Sequence, residues 1–194
     1  MLKVRALALL CGLLLTGCAT TLRPPPADLV FLPAEPSLWK LSLRHHDQPL
    51  YAGLLALSRG PDGSAGMVLL DPTGIKLLEG RVAAAGEIFA VKALRPVADR
   101  GLPAFLGRAV QRLFLGVVPG SGQVCREESP GELCLGLDER DRLVKIRSWG
   151  PFVLWGADYS LNNDGEAPLV IGAALDGGWL TPEVRLERRF EESE

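Results

Sequence analysis

The side chains able to do chemistry in this sequence are few, and their spacing limits what that chemistry can be. Cys125 and Cys134 flank Arg-Glu-Glu-Ser-Pro-Gly-Glu-Leu, in which Ser129-Pro130-Gly131 is a turn signal. Two strands folding back about this turn would bring the sulfurs together, so the pair is a disulfide candidate in an oxidising compartment. Two separate buried thiols are the other reading. His45 and His46 are the only histidines, with Asp47 beside them. On a strand, adjacent side chains point to opposite faces, so this pair makes a poor chelate, and no second ligand cluster accompanies it. No Gly-x-Ser-x-Gly elbow marks a nucleophilic serine. Gly120-Ser121-Gly122 follows Pro119 and precedes an expected strand rather than a helix, which argues against a phosphate cradle. Asp138, Glu139 and Asp141 read as solvated acids at a hairpin tip. The sequence therefore points away from an enzyme, a metal site or a cofactor.

Cys18 stands in a different setting. Lys3 and Arg5 precede an apolar run from Ala6 to Leu15, too short to span a bilayer as a stable helix. A basic start, a short apolar core and small residues before a break form a secretory signal. Leu15-Thr16-Gly17-Cys18 resembles the lipobox of bacterial lipoproteins. That resemblance implies cleavage before Cys18, diacylglycerol on its thiol and an acyl group such as palmitate on the new amino terminus. Residues 1–17 would be signal peptide and Cys18 the lipidation site. Burial contributes about 0.8 kcal/mol per methylene and one chain alone holds marginally, so a triacylated cysteine would be a lasting anchor. Ala19 rather than Asp follows it, which by the enterobacterial sorting rule implies the periplasmic face of the outer membrane.

These groups must be positioned by a β-rich domain. The 22 glycines and 15 prolines punctuate the chain with turns and argue against a helical bundle. The formal net charge is −2 and no basic patch stands out, which points away from nucleic acid as a partner. Residues 18–36 read as a lipidated cysteine and a tether, stiffened by Pro24-Pro25-Pro26 and interrupted by Leu29 to Leu32. From 37 onward, Trp39, Leu41, Leu43 and His45 alternate with Lys40, Ser42 and Arg44, the period of a half-buried strand. Further strands are expected over 51–58, 66–70, 75–78, 81–85 and 88–93, with turns at Gly60-Pro61-Asp62-Gly63 and Asp71-Pro72-Thr73-Gly74. The period then lengthens: Leu102, Phe105, Leu106, Ala109, Val110, Leu113 and Phe114 mark one amphipathic helix, with Asp99 as its cap, Pro103 in its first turn and Gly116 as its stop. Gly107 weakens that helix by about 1 kcal/mol relative to alanine. Strands resume over 133–137, 143–149, 151–157, 169–174 and 183–190. The expected fold class is mainly β (α+β): a single curved antiparallel sheet over residues 37–192, forming an open, incomplete β-barrel lidded by one main amphipathic helix.

This order of elements resembles the lipoprotein-localisation factors LolA and LolB. The local likenesses are Asp71-Pro72-Thr73-Gly74, similar to a LolB turn, Leu102-Pro103-Ala104-Phe105-Leu106-Gly107, similar to the lid region, and Trp149 after the charged hairpin. The resemblance implies a hydrophobic cavity for acyl chains. The sequence departs from LolB at the turn, where Pro72 and Thr73 replace an exposed apolar residue, which suits a relative handling another amphiphile.

The residues expected to line a hydrophobic ligand cavity are Trp39, Leu41, Leu43, Leu55, Leu57, Phe105, Leu106 and Trp149, with core packing as the plainer role for each tryptophan. Trp155 and Trp179 lie nearer turns, at a rim or a membrane surface. The expected function is a monomeric, noncatalytic lipoprotein. It would be held to the membrane through Cys18 and would bind an acyl chain, lipid or lipidated protein. The alternative is a scaffold lipoprotein that binds another cell-envelope protein.

Overall fold

The computed structural model describes residues 22–116, 123–165, 167–178 and 181–190, apart from the side chains of 90 and 91. Cys18, the expected signal peptide, Gly120-Ser121-Gly122 and Trp179 lie outside the described residues.

The chain meanders through β1 (Ser37–His45), β2 (Gln48–Arg59), β3 (Ala65–Leu70), β4 (Lys76–Val82) and β5 (Ile88–Ala93). A helical connection follows: α1 (Arg95–Ala98), α2 (Leu102–Val110) and a π-helical turn (Gln111–Leu115). The chain then returns through β6 (Cys125–Glu127), β7 (Glu132–Leu137), β8 (Leu143–Trp149), β9 (Phe152–Asn162), β10 (Leu169–Asp176) and β11 (Glu183–Arg189). All the strands join one antiparallel, 11-stranded sheet in the order β5-β4-β3-β2-β1-β11-β10-β9-β8-β7-β6. The first and last strands meet in its middle, where Leu41 faces Gly53 on one side and Leu186 on the other. The sheet is not closed: its two edges, β5 and β6, are the strands that flank the helical connection.

Alternation builds the buried face. Trp39, Leu41 and Leu43 are buried from β1, Leu55 and Leu57 from β2, Met67 and Leu69 from β3, and Val184 and Leu186 from β11. They share one core with Leu106, Val110, Leu113 and Phe114 of the helical connection and with Leu143, Ala157 and Tyr159 of the far half. The helical connection therefore lies on the apolar face and touches both halves. The Phe114 ring stands 5.2 Å from that of Trp39. A side chain at Gly107 would meet Ile88 Cδ1 at 2.9 Å, so the glycine that costs helix propensity permits close approach to β5.

The helical segment differs from the expected single helix. Asp99 ends α1 rather than capping the longer helix, and Gly101, at φ 66°, stands at the N-terminus of α2. The left-handed conformation at Gly101 turns the chain between two short helices, a geometry glycine adopts without the steric penalty a Cβ brings. Pro103 does occupy the first turn, and the Gly116 N–H closes the π-helical turn on the Gln111 carbonyl at 2.7 Å. The two short extended stretches expected at 75–78 and 81–85 are one strand, β4, paired with β3.

Within the expected tether, Arg23 exchanges both backbone hydrogen bonds with Leu137, at 2.9 and 2.8 Å. Val30 bridges to β10, Leu32 is buried, and Phe31 meets Tyr159 edge-on at 5.2 Å.

Candidate functional site

Six of the expected cavity residues come together. Trp39, Leu41 and Leu106 are 0% exposed, Leu55 and Leu57 1%, and Leu43 4%. Solvent does not reach the first three and scarcely touches the others, because Leu113, Phe114, Met67 and Leu69 fill the space they face. Phe105 is half-buried at the margin of this core. The Trp39 indole N–H donates to Ser37 Oγ at 2.9 Å. Trp149 is a correction: it is 60% exposed and does not join the others. It ends β8 and pairs with Phe152 across the Gly150-Pro151 turn, away from the helical connection.

Cys125 and Cys134 lie directly opposite each other in β6 and β7 and form a disulfide, which ties the edge strand into the sheet. Among the described residues, the metal-ligand cluster formed by Cys125, Glu132 and Cys134 has both sulfurs used by this bond. The histidine rings do not diverge as strand geometry suggests. His46 leaves the strand at φ 44°, and the two ring centroids stand 4.3 Å apart. Asp138 is also unlike its expectation. It is buried, and its Oδ1 accepts the Arg140 and Arg142 N–H groups at 2.9 Å each. Its Oδ2 accepts from the Arg142 guanidinium at 2.9 and 2.7 Å. The Arg142 backbone N–H is the main cause that holds its carboxyl below the usual range.

The least expected feature is a polar recess at the C-terminal end of the helical connection. It has a volume of about 140 Å³ and is lined by Gln111, Arg112, Glu128, Lys145, Arg147 and Trp155, with Gly116 and Leu133. Lys145 is 1% exposed and Arg147 8%. The pairing of β8 with β9, Leu143 against Tyr159 and Lys145 against Ala157, sets this parity of β8 on the buried side.

Helix geometry explains Lys145. The last carbonyls of a helix lack partners within it, and the helix dipole favours a cation there. Lys145 Nζ donates to the Arg112 carbonyl at 2.8 Å, and Tyr159 Oη donates to the Leu113 carbonyl at 2.9 Å. Burial is the main influence on Lys145 and lowers its pKa to about 8; Glu128 raises it and Arg126 lowers it. Burial likewise pushes Tyr159 upward.

The charges in this region are unbalanced. Arg147 donates to Glu128 Oε2 at 2.6 Å and to the Pro130 carbonyl at 2.8 Å. Arg126 Nη2 lies 3.9 Å from the same carboxylate, and its buried Nε meets no acceptor among the described residues. Arg112 stacks over the Trp155 ring at 5.5 Å; among the described residues its N–H groups donate no hydrogen bond. Burial, then Arg108, lowers its pKa. Sequence reading missed these cations because charged residues on a strand read as solvent-facing. The available signal was parity, since Lys145 and Arg147 share it with Leu143, which is buried.

On the outer side of the same strands, an open groove of about 470 Å³ runs over Val144, Ile146, Val153 and Leu154, with Asp138, Arg142 and Asp158 among its polar residues. Beyond it the β8–β9 turn exposes Trp149, Phe152, Val153 and Leu154. Comparison with protein-family models and with curated proteins finds no match for this chain.

Proposed function

We propose that this chain is a noncatalytic envelope lipoprotein, anchored through Cys18 at the periplasmic face of the outer membrane, that carries an amphiphile between its sheet and its helical connection. In this reading the sheet acts as an incomplete barrel and the helical connection as a movable lid. One observation carries it: the unclosed sheet keeps a large apolar face, centred on β1 to β4 and β11, that is covered by the very segment joining its two unpaired edges. The ligand is an acyl chain, a lipid or a lipidated protein. With the helical connection seated, Trp39, Leu41 and Leu106 are inaccessible, so uptake requires that segment to swing away. The hydrogen bonds from Lys145 and Tyr159 to its last carbonyls are the polar latch on the far half. Apolar burial at about 25 cal/mol per Å² drives loading.

Native mass spectrometry after mild extraction tests this. The expected result is a co-purifying amphiphile. A ligand-free protein that also refuses added fatty probes would remove the reading.

A second reading is favoured by the exposed turn of Trp149, Phe152, Val153 and Leu154. In it the domain is a scaffold that docks another envelope protein through this turn. A photo-crosslinker at position 152 should then give one product of defined mass in cells, and one at the remote position 62 should give none.

A further inference from the structure

We infer that the recess lined by Arg112, Lys145, Arg147 and Trp155 binds an anionic group, a phosphate or carboxylate, and that this group is the head of the carried amphiphile. The second half of this inference rests on the carrier reading above.

The recess holds three cations against one carboxylate, Glu128, and Arg147 already engages that carboxylate. Lys145 is accounted for structurally as the cap of the helical connection, and Arg147 as the partner of Glu128 and Pro130. Arg112 has no such account. Arg112 is half-buried, its guanidinium carbon stands 5.5 Å from the Trp155 ring centroid, and among the described residues the group meets no acceptor. A planar guanidinium without a carboxylate or carbonyl partner offers a fork suited to carboxylate or phosphate oxygens. A buried ammonium beside it strengthens the attraction, since charges interact more strongly away from water. The recess lies where the helical connection ends, next to the apolar core, and Trp155 borders both. An amphiphile whose chain replaced the helical connection on the sheet would thus have its head beside these cations. The recess, at about 140 Å³, has room for a phosphate-sized group.

The test titrates the full chain, stabilised in amphipol, with hexyl phosphate, hexyl glucoside and inorganic phosphate by calorimetry. Wild type and Arg112→Gln are compared, with Arg112→Lys as a charge-retaining control and melting curves to verify folding. Hexyl phosphate is expected to bind best, and Arg112→Gln to weaken it about tenfold or more, the loss of one charge-assisted contact. Hexyl glucoside should be indifferent to the substitution. Arg112→Lys should keep part of the affinity. Glu128→Gln should tighten phosphate binding by removing the competing carboxylate.

Equal binding of hexyl phosphate and hexyl glucoside, both unmoved by Arg112→Gln, would overturn the anion site and leave the carrier reading standing. Inorganic phosphate binding as tightly as hexyl phosphate, and lost in Arg112→Gln, would uphold the anion site with a free anion as its source. That result would count against carriage. Absence of any phosphate binding would overturn the inference outright.

Discussion

The two halves of the sheet bury their inner faces by different means. From β1 to β4 the inner face is apolar apart from Ser37, with Trp39, Leu41, Leu55, Leu57, Met67, Leu69 and Leu78 packed beneath α2 and the π-helical turn. From β6 to β9 the same side carries Arg126, Lys145 and Arg147 among Leu133, Leu135 and Leu143. A sheet that needed only stability would repeat the first solution, because buried ions often cost more in desolvation than their pairing returns. The second half keeps cations where leucines would pack: Lys145 holds the Arg112 carbonyl, and Arg147 holds Glu128 and the Pro130 carbonyl.

The largest effect should come from the apolar half. Trp39→Ala removes a fully buried ring against Phe114 and should cost about 3–5 kcal/mol in a urea titration. A loss under 1 kcal/mol would mean that the core there is loose enough to collapse. In the charged half, Cys125→Ser with Cys134→Ser should cost about 2–3 kcal/mol through the closed loop alone. Hydrogen exchange should show that loss concentrated in β6 and β7; a uniform loss would contradict the idea that the bond secures an edge.

The pH dependence sharpens the contrast. Lys145 titrates at about 8 in the folded chain against an ordinary 10.5. Between those values the unfolded chain binds the extra proton, so stability rises with pH. The gain from pH 8 to 10 should be about 2 kcal/mol, and Lys145→Met should abolish it. Above 10 the trend reverses, because Tyr159 and Tyr51 are held protonated in the fold by burial and lose that advantage as the unfolded chain ionises. A wild-type curve that is flat from 8 to 10 would show that Lys145 is hydrated. The smallest effect belongs to the exposed turn. Phe152→Ser should change stability by no more than about 0.5 kcal/mol. A larger loss would mean that the turn packs on something.

Much of the fold was legible in the sequence. The β1 alternation, the turns at Gly60–Gly63 and Asp71–Gly74, and the strand at 143–149 all follow from period and turn chemistry. The split of the helical segment was harder to read, since Gly101 reads as a spacer until its positive φ is known. The recess was less visible still. The strand Leu143–Trp149 reads as inward-facing through Trp149 alone, with no role given to Lys145 or Arg147. Only the pairing with β9, together with the unpaired carbonyls of Arg112 and Leu113, turns Lys145 toward the interior. Asp138 misled for a similar reason, because its partners are backbone N–H groups that hydropathy does not register. The disulfide was easier, since a Ser-Pro-Gly turn between two cysteines leaves few geometries.

The pairing of Arg23 with Leu137 also governs orientation. An extended chain reaches at most about 3.5 Å per residue. If Cys18 is acylated, the few residues before Arg23 form a leash that keeps the β7–β8 turn close to the lipid headgroups. Strand β8 runs roughly 20 Å from that turn to Trp149. Trp149 and Phe152 would thus sit at the end of β8 remote from that leash.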